Sequence, residues 1–200
     1  MKKLIAATLA SLVLLSACSN LETTRSGFLN NYEQMQPNGK GTLTYSNSLA
    51  QKRYTAFLVD EVQYSQGDKG EVLNAEQIAT LKDTYRNAVT KAFTDKYTLV
   101  STPAANVMRV RLSITSVNKS TVPLNYVSTL VLLTPVSNGG VSTESEIVDA
   151  LTGERLSALS THSNPNVFDG KFSGYFNPIG HAKSALESHA TQLRETISPR

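Results

Sequence analysis

Apolar residues recur along this chain with two periods, and the period changes at turn signals. From Val107 to Val117 the period is two. Met108, Val110, Leu112 and Ile114 share one face, and Arg109, Arg111, Ser113 and Thr115 share the other. That pattern predicts a strand of a sheet buried on one side and wet on the other. Tyr54 to Tyr64 reads as an earlier strand, followed by a loop over Gln66 to Gly70. Asn125 to Ser137 and Val141 to Leu151 flank Asn138-Gly139-Gly140, whose Asn-Gly pair favours a tight turn, so the two are expected to pair antiparallel. Thr152-Gly153-Glu154 turns the chain again, into Arg155 to Thr161.

Two segments change to the helical period. Asn74 stands as N-cap with Gln77 in the capping-box position, and Ile78, Leu81, Tyr85, Val89, Ala92 and Phe93 form one stripe. Near the other end Asn177-Pro178 starts a helix with the stripe Ile179, Ala182, Leu186, Ala190, Leu193 and Ile197. The order strand, helix, several strands, helix predicts an α+β fold. It is a single mainly antiparallel sheet with the two amphipathic helices packed on one face.

The first residues do not belong to that domain. Lys2 and Lys3 precede an apolar run, Leu4 to Leu15, and small residues lead to Cys18. The run is shorter than the roughly 20 residues that span a bilayer as a helix, so it reads as a secretory signal over residues 1–17. Leu15-Ser16-Ala17-Cys18 resembles the lipobox of bacterial lipoproteins. That resemblance implies a diacylglyceryl thioether on Cys18, cleavage before it, and an acylated new amino group. Ser19 stands where retained inner-membrane lipoproteins commonly carry aspartate, which implies the periplasmic face of the outer membrane. Residues 18–51 are polar and rich in Asn, Ser, Thr and Gly. They are expected to form a lipidated tether partly docked on a domain spanning 52–200.

Composition narrows the function. The chain has 19 Lys and Arg against 16 Asp and Glu, and removal of Lys2 and Lys3 with the signal lowers the formal charge from +3 to +1. No basic cluster interleaved with aromatic residues occurs, which argues against nucleic acid. Cys18 is the sole cysteine, so its acylation leaves no thiol for a disulfide, a redox couple or a nucleophile.

Chemistry-bearing arrangements are few. His181 and His189 lie eight apart, not the four that lets two imidazoles share a metal, and His162 ends a strand. All three read as partly exposed, and neither a metal nor a cofactor is expected. Glu144 and Glu146 share one strand face while Asp149 points the other way; they read as a solvated face opposite Arg109 and Arg111. Neither a nucleophile elbow nor a phosphate loop is present, so no catalytic residue is assigned. From Pro165 to Asn177, the rings of Phe168, Phe172, Tyr175 and Phe176 crowd among glycines. They either cap one end of the core or form a partner surface.

Ser26-Gly27-Phe28-Leu29-Asn30-Asn31-Tyr32, just after the lipobox, resembles the Gly-Phe-Leu-x-x-Tyr opening of a family of uncharacterised proteobacterial lipoproteins, a domain of unknown function. Val59-Asp60-Glu61-Val62 resembles that family's valine–aspartate strand, with Glu61 where the family has proline. Asp149-Ala150-Leu151-Thr152-Gly153-Glu154 is similar to its strand–turn signature. The resemblance implies structural roles and no reaction. The expectation is a non-enzymatic protein anchored to the membrane by lipid, with an envelope protein, polysaccharide or small ligand as partner. The alternative is a periplasmic hydrolase of cell-wall or lipid material using Glu144, Glu146, Asp149 or a serine. Converging side chains in a cleft would distinguish it.

Overall fold

The computed structural model describes residues 25–39, 41–66, 72–119, 140–163 and 177–197. The alternating segment forms the long central strand β6 (Val107–Asn118), and Met108, Val110, Leu112 and Ile114 are essentially inaccessible on its inner face. Antiparallel to it lies β7 (Gly140–Asp149), then β8 (Arg155–Ser163). Beyond β8 come β2 (Thr42–Ser46) and β1 (Gln36–Pro37), both antiparallel. On the opposite side of β6, β3 (Ala56–Val59) runs parallel and is flanked by the two-residue β5 (Thr98–Leu99). β4 (Gln63–Tyr64) also pairs parallel with β6. The expected strand Tyr54 to Tyr64 is therefore broken at 60–62 into two pieces. The order across the sheet is β1-β2-β8-β7-β6-β3-β5.

Parallel strands need a long crossover, and α1 (Ala75–Phe93) supplies it between β4 and β5. Its capping box is complete: Asn74 Oδ1 accepts from the Gln77 N–H at 2.8 Å, and Gln77 Oε1 accepts from the Asn74 N–H at 3.1 Å. Leu81, Tyr85, Val89 and Phe93 are fully buried, and Phe93 packs its ring 5.4 Å from that of Phe57. The second helix, α2 (Gly180–Glu195), starts two residues later than expected. Asn177 instead closes the entry turn, accepting from the Ile179 N–H at 3.0 Å. The whole predicted stripe of α2 is buried in the same core as α1 and the inner sheet face.

Two expectations are corrected. The outer face of β6 and β7 is wet only in part: Ser113, Glu144 and Glu146 are buried there, while Arg109 stays nearly half exposed. The cover comes from the segment assigned to the tether, because residues 25–35 lie across that face and Leu29 and Met35 pack on Ala158 of β8. The same segment goes on to supply β2, which holds five residues of register with β8. Finally, β7 has β6 on one edge and β8 on the other along its length, so it has no edge for the strand expected at 125–137. That strand and its Asn138-Gly139 turn lie outside the described residues. Among those described, no helix is long and apolar enough to cross a membrane.

Replacing Asn74 by alanine removes one acceptor and one side of the capping box. We expect a loss of about 1 kcal/mol in urea unfolding, with the fold retained by circular dichroism.

Candidate functional site

Alternation along β7 sends Thr143, Ser145 and Ile147 to the helices and Glu144 and Glu146 to the outer face, and each side of the strand carries a polar cluster. On the outer face Glu144 is wholly buried. Its Oε1 accepts from the Ser26 N–H at 2.8 Å, and its Oε2 accepts from the Ser26 hydroxyl at 2.8 Å and the Tyr32 hydroxyl at 2.6 Å. Burial, and then the bond to Glu144, raises the Tyr32 phenol above its ordinary pKa. Desolvating a carboxylate costs several kcal/mol. Three hydrogen bonds to a charged group, each worth about 1.5–3 kcal/mol, offset that cost. Every one of those donors belongs to residues 26–32, so this carboxylate fastens the segment as a strap.

Two residues on, Glu146 sits between guanidiniums. Arg111 Nη1 donates to Oε1, and Arg155 donates to Oε2 through Nε at 3.0 Å and Nη2 at 2.9 Å. The third Arg155 donor, Nη1, reaches the Asn30 carbonyl, and the Arg111 guanidinium lies 5.4 Å above the Phe28 ring. The strap is thus held by both acids, one directly and one through its arginines. Arg109 turns away to Asp60, its Nε 2.9 Å from both carboxylate oxygens.

Asp149 faces the opposite way, as parity requires. Its Oδ1 accepts from the N–H groups of Leu151 and Thr152, closing the β7–β8 turn, where Gly153 takes a φ of 74°. Its Oδ2 accepts from the Tyr54 hydroxyl at 2.7 Å and from Arg53 at 2.8 Å. The Thr152 N–H foremost, then Tyr54, hold this carboxyl well below the usual carboxylate range. Burial and the bond to Asp149 push the Tyr54 phenol up to about 12. This geometry makes Asp149 a turn-closing group.

The helix histidines are buried rather than partly exposed, which corrects the sequence reading. His189 is fully inaccessible, with Nδ1 3.0 Å from the Thr143 hydroxyl and Nε2 2.7 Å from that of Ser163. Burial, with a smaller contribution from neighbouring His162, lowers its pKa to about 3. His162 is itself lowered by burial, and its Nδ1 meets the Ser142 hydroxyl at 2.7 Å. These are two Ser–His contacts of the length a hydrolase uses, yet neither has the required surroundings. Thr143, not a carboxylate, orients His189, and an imidazole that protonates only near pH 3 is a poor base at neutral pH. Ser142 is itself buried. Among the described residues no group of three His, Cys, Asp or Glu side chains is placed to hold a metal.

The family model described as "Protein of unknown function (DUF3313)" matches residues 24–193. The chain belongs to this family. The DUF3313 match begins one residue before the described strap, so it takes in Ser26, Tyr32 and Glu144, and the likeness read from the Gly-Phe-Leu-x-x-Tyr motif agrees with it. No curated protein matches the chain. Among solved structures it is similar to a PelC dodecamer from Paraburkholderia phytofirmans, at 9% identity over 80% of this chain and 97% of that one, with a TM-score of 0.49. A DUF330 protein from Xanthomonas campestris gives 10% identity over 76% and 90% with a TM-score of 0.42. Lipoprotein GNA1162 from Neisseria meningitidis gives 12% over 69% and 99% with a TM-score of 0.35. Such distant likeness carries no functional argument.

Sequence reasoning had singled out Glu144, Glu146 and Asp149 but not what they hold. The signal available was the motif itself, whose Ser26 and Tyr32 supply the donors. Cys18 and the aromatic residues Phe168, Phe172, Tyr175 and Phe176 lie outside the described residues.

Two outcomes follow for this DUF3313 domain. Tyr32→Phe removes one donor to a buried carboxylate and is expected to cost about 1–3 kcal/mol in urea unfolding. Amide hydrogen exchange over residues 26–35 should accelerate with it. His189 binds its proton less tightly folded than unfolded, so its contribution is complete above pH 6.5 and is lost as pH falls toward 3. Asp149 adds a loss of the same sign at lower pH. The unfolding free energy measured from pH 6 to pH 4 should fall by about 1.4 kcal/mol per unit from His189 alone.

Proposed function

We propose that this chain is an envelope lipoprotein, held by acyl chains on Cys18 to the periplasmic face of the outer membrane, that binds a partner and catalyses no reaction. The observation that carries this reading is the strap. Seven residues separate Cys18 from Ser26, and the eight residue-to-residue spacings between them reach about 29 Å at most when fully extended. The tether is accordingly much shorter than residues 18–51, and the domain is kept close to the bilayer. The three carboxyl groups of β7 hold the fold together: Glu144 the strap, Glu146 two arginines and, on the opposite face, Asp149 the turn.

That division of labour favours an accessory or binding factor over a periplasmic hydrolase. The partner is an envelope protein or polysaccharide, and the aromatic sequence with Phe168, Phe172, Tyr175 and Phe176 is our candidate for contacting it. Labelled palmitate fed to cells should appear on the wild-type protein in the outer-membrane fraction. Cys18→Ala should accumulate as an uncut, unlabelled precursor. Label persisting on the Cys18→Ala protein would refute the anchor, and hydrolysis of purified cell wall by the wild type would refute the non-enzymatic role.

A further inference from the structure

We propose that the groove between the strap and the β7–β8 turn binds a neutral oligosaccharide, a reading that deepens the binding role above and rests on it. The groove has a volume of about 790 Å³ and is walled by strap residues such as Asn31 and Gln34 on one side and by Thr152 and Gly153 on the other. This size falls within the roughly 300–1,000 Å³ of small-molecule sites.

Its chemistry is that of unused hydrogen-bond donors. Arg109 engages Asp60 through Nε alone, and Arg111 engages Glu146 through Nη1 alone. The remaining guanidinium N–H groups of both donate to no described residue, nor do the side-chain amides of Asn31, Gln34 and Gln63. A ligand here must accept hydrogen bonds in number, because donors left unmatched on ligand binding cost free energy. That requirement excludes acyl chains and apolar peptide segments.

Charge separates the remaining classes. All three guanidiniums of the groove already engage carboxylates, Arg109 through Asp60 and both Arg111 and Arg155 through Glu146. A polyanion gains little Coulomb energy from cations so largely neutralised. Across the Arg109–Asp60 pair, which borders both, a second depression of about 1030 Å³ opens over Ala56, Leu58 and Val107. Hydroxyl edges alternating with C–H faces are what a polar groove beside an apolar floor accommodates, and a neutral sugar chain presents both.

The test uses the full mature lipoprotein in detergent, titrated calorimetrically with cellohexaose, chitohexaose and the acidic hexagalacturonate at low and high salt. At least one neutral hexasaccharide should bind with an affinity insensitive to salt. Arg109→Ala and Gln34→Ala should each weaken it about tenfold, with the fold of both variants retained by circular dichroism. The proposal is overturned if neither neutral sugar binds the folded protein, or if both variants bind as the wild type does. Binding of hexagalacturonate alone, abolished by salt, would mark an anion site and overturn it too. Palmitate labelling of the same preparations is read separately, so a failed groove leaves the anchored lipoprotein standing, and a missing label removes the anchor without touching the groove.

Discussion

A carboxylate without exposed surface has to receive hydrogen bonds from somewhere, and in this fold Glu144 receives them from a segment 112 to 118 residues earlier in the chain. The outer face of β7 is consequently stable only with residues 26–32 laid across it. Were the segment to leave, a desolvated charge would lose all three donors, and Leu29 and Met35 would lift off Ala158. The strap, the outer face and the position of the chain's amino-terminal part are therefore one structural decision. The inner face depends on it less, being closed by two helices and an apolar core of ordinary composition.

How the two faces divide explains what was legible in the sequence. Period and parity act locally, so both helices, β6, β7, β8 and the opposite directions of Glu144 and Asp149 follow from spacing alone. Asn74 and Gln77 form the capping box because its geometry is local as well. Coverage is not local. Arg109, Arg111, Ser113 and Thr115 carry the polarity of a wet surface, and nothing in β6 records that a distant polar segment will lie over part of it. The same blindness applies to β2, whose Thr-Leu-Thr-Tyr-Ser has little apolar content and is a strand because β8 offers it an edge. His189 misled for a related reason: its ring is polar, but Thr143 and Ser163 stand ready to satisfy both nitrogens in the core.

The polar groups of this domain separate into those turned inward upon one another and those left facing the groove. Asp149 shows the first kind, with four donors from the turn and from Arg53 and Tyr54. Arg109 shows the second, its guanidinium half engaged and nearly half exposed. Family membership adds that this arrangement is built on a chain whose matched span includes the strap, so the cover is a part of the domain and not an appendage to it.

Among the described residues, both margins of the sheet end in strands of two residues, and the outermost pair at one margin includes Pro37, which has no N–H to donate. Sheets with long open margins recruit further strands and polymerise, and that hazard grows with local crowding. Crowding of this kind arises wherever molecules are concentrated, even when they are scarce in the cell. Blunt margins let such molecules collide sideways without zipping their sheets together, so that local density does not become aggregation.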